Sequence, residues 1–286
     1  MLWRPIKFLF ALILLPTAFF TLLETGKILC AVLGNLGAAL SFVLGVLIYC
    51  SIHYGYYNFS RLYVFGHEMT HALAALVCGY RIKDVSVGQD SGYVKMDNCN
   101  AFVVLAPYFV PLYVIAAALL YAVADLFVDL TPYRQVFLFV IGFLTAFHFV
   151  QTCKTLFEAD QPDLKIAGGK IFSGVMITLA NLVVLAVVLK ALFPETVSLV
   201  SAGKNILAGT VNIWRIIVNY IVEKMVNSGK QVYAFMDSGI VAVFQNDKLA
   251  YTASAYSASE VQRYRGTSLT VQTPSGQFYQ IRTGRD

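Results

Sequence analysis

The sequence is dominated by long apolar runs that polar residues interrupt only briefly. A helix rises 1.5 Å per residue, so about 20 apolar residues cross a hydrocarbon core about 30 Å thick. Backbone polar groups inside lipid must be satisfied within the chain, and runs of this length therefore predict transmembrane helices. With the more polar segment 60–79, six helices are expected, at residues 8–23, 28–50, 60–79, 102–129, 135–157 and 171–193.

The charge content supports the same interpretation. Of the 286 residues, 58% are hydrophobic and only 13% are charged, whereas about a quarter of the residues in a soluble chain are charged. So few charges cannot cover a water-exposed surface, and we expect a multi-pass integral membrane protein in contact with the lipid bilayer. The net charge of +5 is not gathered into a basic stripe, so nucleic-acid binding is not expected.

The first apolar run follows two basic residues, Arg4 and Lys7. A basic start and an apolar middle also describe a signal peptide. However, no small-residue cleavage pattern follows the run, and another apolar run begins almost at once. We therefore expect residues 1–59 to contain a hairpin of two transmembrane helices with Glu24 in the loop between them. The basic residues predict a cytoplasmic N-terminus, and the expected location is the cell inner membrane.

The segment 60–79, SRLYVFGHEMTHALAALVCG, carries two histidines and a glutamate among apolar residues. His67 and His71 are four residues apart, so on a helix they share one face and can bind one zinc ion at about 2.0–2.1 Å each. Glu68 follows the first of them and can act as the general base toward a zinc-bound water, whose pKa falls to about 7. The HExxH pattern thus predicts a zinc metallopeptidase with Zn²⁺ as cofactor and Glu68 as catalytic residue.

A catalytic zinc ion needs a third protein ligand besides the two histidines. The other histidines are His53 and His148, and two aspartates, Asp160 and Asp163, lie in the segment FEADQPDLKIAGGKIFS. The five cysteines are scattered without CxxC spacing, so a thiolate site is not expected. A buried polar network without metal is the alternative, although idle charges in an apolar helix are costly.

Residues 81–97 alternate between polar and apolar side chains around a Gly-Gln-Asp-Ser-Gly turn and predict a β-hairpin. Such a hairpin between membrane helices is either a simple connection or an edge to which an extended substrate strand can be added. Residues 195–230 predict an amphipathic helix that lies on the membrane surface, packs against the bundle or forms a short seventh span. Residues 231–286 contain five strand-sized runs separated by turns.

The expected fold is therefore an all-α polytopic membrane protein with about six transmembrane helices. A β-hairpin follows the HExxH helix, and a small β-rich region outside the membrane ends the chain. The proposed divisions are an N-terminal transmembrane hairpin, a membrane-embedded core, an amphipathic linker helix and a β-rich domain, at residues 1–59, 60–194, 195–230 and 231–286.

Three features together resemble the site-2 protease family of intramembrane zinc metalloproteases. They are HEMTH at the start of a membrane helix, a hairpin after it, and an aspartate segment near a late span. LAPYFVP at residues 105–111 and the segment DLKIAGG that begins at Asp163 resemble the divergent, bacterial-type branch. The resemblance covers roughly residues 60–190. It implies a third zinc ligand on a later helix, for which Asp163 is the first candidate, Asp160 the second and His148 the third. The family's Asp-Gly pair is not found in this sequence.

The resemblance also implies the activity, namely cleavage of membrane-anchored protein substrates by a zinc-activated water. The alternative is a non-catalytic scaffold or a metal-binding membrane protein that retains the HExxH site. A transporter is disfavoured because the charges form one cluster and no inverted repeat is seen. The oligomeric state stays open.

Overall fold

The computed structural model divides the chain into two compact units, residues 1–211 and 212–286, which are described separately. The division of the chain into four parts stays a prediction. The structure describes residues 3–88, 91–158, 161–228, 232–237, 240–245, 248–254, 268–272 and 278–282.

The chain begins with two long helices whose boundary differs from the prediction. α1 runs without interruption over Trp3–Gly34, and α2 follows over Leu36–Gly55. The break lies at Asn35, so the prediction of a loop around residues 24–27 is wrong. Asn35 accepts backbone hydrogen bonds from the first turn of α2 at 3.1 Å, which starts the second helix.

Glu24 is a buried residue of α1 and not a loop residue. Its carboxylate accepts hydrogen bonds from Lys27 Nζ at 2.6 Å and from Asn205 Nδ2 at 3.1 Å. A buried charge is tolerated where it is paired and hydrogen-bonded, so the helix continues through this position.

α3 spans Ser60–Val77, and Gly79 follows it with a φ of 77°, the left-handed conformation that glycine allows at a helix end. The predicted hairpin then forms from β1 (Ile82–Val87) and β2 (Gly92–Met96), which pair antiparallel.

The middle of the chain is a bent helical segment followed by a long helix. α4 (Ala101–Leu105) continues into a 3₁₀ turn (Ala106–Tyr108), and α5 (Leu112–Asp125) leaves at 77° to this pair. Pro107 and Pro111 occupy the bend, where prolines interrupt the helical hydrogen bonds. α6 covers Arg134–Glu158 after a second 3₁₀ turn at Thr131–Tyr133.

Two glycines allow α2 and α6 to cross at backbone contact. A Cβ atom on Gly45 would collide with the Phe139 carbonyl, and one on Gly142 would collide with the Phe42 carbonyl. Small residues at such crossings are a common device for packing helices in lipid. The crossing fixes α6 beside α2.

A short helix, α7 (Pro162–Ala167), leads into α8 (Lys170–Leu192) through Gly168 and Gly169. Both glycines have positive φ, 150° and 105°, so this tight turn requires residues without a Cβ.

Within the described residues, five helices are long and apolar enough to cross a membrane: α1, α2, α6, α8 and, within α9 (Leu199–Ser228), residues Leu199–Val222. A sixth is added if the bent pair Ala101–Tyr108 and Leu112–Asp125 counts as one span. The all-α polytopic fold with about six spans is thus confirmed. The set of spans differs from the prediction, because α3 is not among them and α9, the predicted linker helix, is.

The C-terminal unit contains the five expected strands. β3 (Val232–Asp237), β4 (Ile240–Gln245) and β5 (Lys248–Ser254) form one antiparallel sheet in that order. β6 (Ser268–Gln272) pairs with β7 (Phe278–Arg282) in a second.

Candidate metal centre

Helix α3 presents both histidines of the HExxH pattern on one face. The ring centroids of His67 and His71 are 4.8 Å apart, as expected for residues one turn apart. The helix fits closely here because Gly66 has no side chain, and a Cβ at this position would lie 2.6 Å from the Tyr113 ring. The face that carries the histidines is therefore held against the bent segment.

Helix α7 brings Asp163 to the two histidines, although about ninety residues separate it from them in sequence. Asp163 Oδ2 lies 3.5 Å from His67 Nε2 and 3.5 Å from His71 Nε2. The three ligand atoms all lie within 4.8 Å of one another. In the described part of the chain, this is the one group of three His, Cys, Asp or Glu side chains that could hold a metal ion.

These distances fit a metal-binding arrangement. Zinc binds imidazole nitrogen at about 2.0–2.1 Å and carboxylate oxygen at about 2.0–2.2 Å, and tetrahedral angles then separate the ligand atoms by about 3.3–3.5 Å. A direct hydrogen bond between these groups would be about 2.7–2.9 Å long. The observed 3.5 Å separations agree with ligand atoms arranged around a zinc ion and not with direct hydrogen bonds.

The hydrogen bond made by His71 Nδ1 also favours a metal ion between His71 and Asp163. His71 Nδ1 lies 2.9 Å from the Val103 carbonyl oxygen, which can only accept, so Nδ1 carries the proton. In a neutral ring, Nε2 then has a lone pair directed at the Asp163 oxygen. Two lone pairs facing each other repel, unless a cation lies between them or the ring takes up a second proton. A metal ion between the two atoms would remove this conflict, and the backbone contact fixes the orientation of the His71 ring in the way known for metal-binding histidines.

Asp163 is ionised in this setting. Burial alone would raise the pKa of Asp163, but its contacts with His67 and His71 outweigh burial and hold the pKa well below its usual value. The carboxylate is therefore available as an anionic metal ligand over the neutral pH range.

Glu68 is buried beside this cluster, and the hairpin closes over it. A Cβ on Gly92, the first residue of β2, would lie 2.6 Å from Glu68 Cγ and 2.8 Å from the Ser86 carbonyl oxygen. Gly92 therefore leaves the space that the Glu68 side chain occupies. This glycine was not recognised from the sequence, because its role depends on where the hairpin packs.

The other candidate ligands are placed differently. His148 Nε2 lies 3.3 Å from Asn181 Oδ1, so it belongs to a polar contact between α6 and α8 and not to the cluster. His53 Nδ1 lies 3.2 Å from the Tyr49 hydroxyl on α2. Asp160 lies outside the described residues, so its candidacy as a ligand stays untested.

Tyr108 is a second site residue that the sequence did not indicate. Its hydroxyl donates to Asp163 Oδ2 at 3.0 Å, and its ring packs edge-on against the His67 ring at 5.1 Å between centroids. It lies within the LAPYFVP segment, which was noted only for its resemblance.

The fold and the site together define a polytopic membrane protein in which two histidines and one carboxylate form a cluster that could hold a metal ion, beside a buried glutamate. A family model described as peptidase M50B-like matches residues 38–159, which run from α2 to the end of α6. Over these residues the chain is similar to that peptidase family, in agreement with the motif resemblance to site-2 proteases. The match includes the HExxH helix and the hairpin, but it ends before Asp163. No curated protein and no solved structure gives a significant match.

Proposed function

We propose that the protein is an intramembrane zinc endopeptidase that cleaves membrane-anchored protein substrates. The observation that carries the proposal is the convergence of His67 Nε2, His71 Nε2 and Asp163 Oδ2 beside the buried carboxylate of Glu68. The peptidase M50B-like match over residues 38–159 supports the same class of reaction.

In this proposal, His67, His71 and Asp163 hold the zinc ion. A bound zinc would polarise the scissile carbonyl and lower the pKa of the attacking water. Glu68 accepts the proton of that water and delivers it to the leaving amine. The hydrogen bond from His71 Nδ1 to Val103 keeps the His71 ring in the orientation and tautomer that ligand binding needs.

The hairpin supplies a second element of the proposal. Among the described strands, β2 pairs only with β1, and it begins at Gly92, which touches Glu68. An extended substrate added along β2 would bring a peptide bond close to Glu68. Peptide bonds in a helix are shielded by their own hydrogen bonds, so a substrate helix must unwind into such a strand before it is cleaved.

Reconstituted cleavage tests the proposed function. Purified full-length protein in proteoliposomes is expected to cleave a co-reconstituted, membrane-anchored model substrate. Treatment with a zinc chelator should abolish the cleavage, and added Zn²⁺ should restore it while Mg²⁺ should not, because the donor set of imidazoles and a carboxylate suits zinc. Cleavage that persists in metal-free protein would contradict the proposal.

Substitution of Gly92 tests the packing of the hairpin against Glu68. In Gly92→Ala the new methyl group must displace the Glu68 side chain or the hairpin, and a shift of about 1 Å in a reacting group costs about 100-fold in rate. We expect kcat to fall by about that factor while zinc binding is retained.

Gly174→Ala is the matched control for Gly92→Ala, because a Cβ at Gly174 meets nothing within 4 Å. Its cleavage rate should equal that of the wild type. If Gly92→Ala cleaves as fast as Gly174→Ala, the hairpin does not confine Glu68.

The N-terminus of the protein is proposed to lie in the cytoplasm, with the inner membrane as the location. Arg4 is exposed at the start of α1, in agreement with the positive-inside rule. Lys7 is weaker evidence for this orientation, because it donates to the Ala167 carbonyl at 2.6 Å and thus has a structural role. An N-terminal reporter that is active only in the cytoplasm would be silent if the orientation were reversed.

A further inference from the structure

Asp163 lies on a short helix, α7, that cannot by itself hold the carboxylate in one position. α7 has only six residues, and helices of this length are not stable without tertiary contacts. Its C-terminal end is anchored, because Lys7 Nζ donates to the Ala167 carbonyl at 2.6 Å and Ser173 Oγ donates to the Leu164 carbonyl at 3.1 Å. The N-terminal end, which carries Asp163, needs a separate anchor.

Tyr108 provides that anchor. Its fully buried hydroxyl lies 3.0 Å from Asp163 Oδ2 and 3.3 Å from Gln161 Oε1, on the two sides of Pro162. A phenol has one proton to donate. The closer, ionised oxygen of Asp163 is the stronger acceptor, so the proton is directed to the same oxygen that faces both histidines.

Tyr108 is itself fixed by the surrounding helices. Asn181 Nδ2 in α8 donates to the Tyr108 carbonyl at 2.8 Å and to the Ile177 carbonyl at 2.9 Å. Asn181 Oδ1 in turn contacts His148 Nε2 of α6 at 3.3 Å. The contacts therefore run from two membrane spans through the backbone of Tyr108 to its hydroxyl.

We propose that Tyr108 is the positioning residue of the third ligand: its hydroxyl holds Asp163 Oδ2 toward the two histidines, so that the three ligand atoms are in place before zinc binds. This inference rests on the proposed function, because it assigns Asp163 as a zinc ligand. It extends that function to a residue outside the HExxH pattern.

Zinc affinity is the direct measure of this role. Tyr108→Phe keeps the ring and its packing on His67 but removes the hydroxyl. Loss of an outer partner of a metal ligand typically lowers metal affinity 10–100-fold, so the zinc Kd of the purified full-length variant should rise by about that factor. Cleavage should recover when zinc is added to saturation, because the hydroxyl acts through the ligand.

Tyr121→Phe is the matched control. The Tyr121 hydroxyl donates to the Leu130 carbonyl at 3.0 Å, at the far end of α5, so this variant loses a comparable hydrogen bond away from the site. Its zinc Kd should equal that of the wild type. Replacing Tyr108 with 4-aminophenylalanine keeps the ring and restores an N–H donor, and it should recover most of the affinity lost in Tyr108→Phe.

The outcomes separate the inference from the function on which it rests. Wild-type protein that binds no zinc would overturn both. Wild-type and Tyr108→Phe proteins with equal zinc affinity would overturn the positioning role alone. A variant that binds zinc normally but has a lowered kcat at saturating zinc would also overturn it, because the hydroxyl would then act on the substrate and not on Asp163.

Discussion

Replacing Glu68 with glutamine is expected to abolish most of the cleavage and to leave zinc bound. Glutamine has nearly the shape of glutamate, so it fits the space beside Gly92, but its amide cannot accept the proton of the attacking water. A positioned general acid–base contributes about 10²–10⁴-fold to a rate, and kcat should fall by that factor. The measurement is single-turnover cleavage of the reconstituted model substrate, together with the zinc content of the same sample.

Glu24→Gln is the control for the loss of a buried carboxylate. Glu24 is buried in α1 and bonded to Lys27 and Asn205, and it has no part in the proposed chemistry. This variant should cleave at the wild-type rate. If Glu68→Gln retained full cleavage, Glu68 would not be the base and the proposed reaction would be wrong.

Removing the carboxylate of Asp163 is expected to abolish zinc binding at neutral pH. Asp163→Ala leaves two imidazoles, one fewer protein ligand than catalytic zinc sites have. The zinc Kd should therefore rise by more than the 10–100-fold typical of an outer partner, and by more than in Tyr108→Phe. Zinc per chain, measured after dialysis of the purified variants, gives the comparison.

Two further variants make this test specific. His148→Ala should keep its zinc, because His148 contacts Asn181 and not the cluster. Asp160→Ala should also keep it, since the proposed set of ligands is complete without it. Loss of zinc in Asp160→Ala together with retention in Asp163→Ala would show that the wrong aspartate has been assigned.

The local part of the site was predictable from the sequence. His67 and His71 are four residues apart, and helix geometry alone places them on one face. The hairpin after α3 was predictable as well, because alternation of polar and apolar residues around a glycine-containing turn has few other structural outcomes.

The boundary between α1 and α2 could not be read from hydropathy. Glu24 and Lys27 look like loop residues in the sequence, but they pair with each other, and Asn205 adds a bond from a helix that begins far along the chain. A charge is compatible with a membrane helix only if a partner exists, and the sequence does not reveal that partner. α3 shows the opposite case. The sequence predicts it as a membrane span, but its polar residues make it too polar to be one.

The contacts of Tyr108 and Gly92 were beyond sequence reasoning for a different reason. Each depends on how two elements pack: Tyr108 on the docking of α7, and Gly92 on the approach of β2 to α3. For Asp163, the sequence predicts a ligand role only through resemblance to a family pattern that this chain partly follows. The structure adds the 3.5 Å distances to both histidines, which no pattern of residues supplies.

X-ray absorption at the zinc edge of the purified wild-type protein tests the central claim most directly. The proposed site predicts about one zinc ion per chain, bound only by nitrogen and oxygen, with the scattering signature of two imidazoles and with a carboxylate oxygen among the ligands. A protein without zinc, a signal from sulfur ligands, or a site with a single imidazole would contradict the assignment of His67, His71 and Asp163.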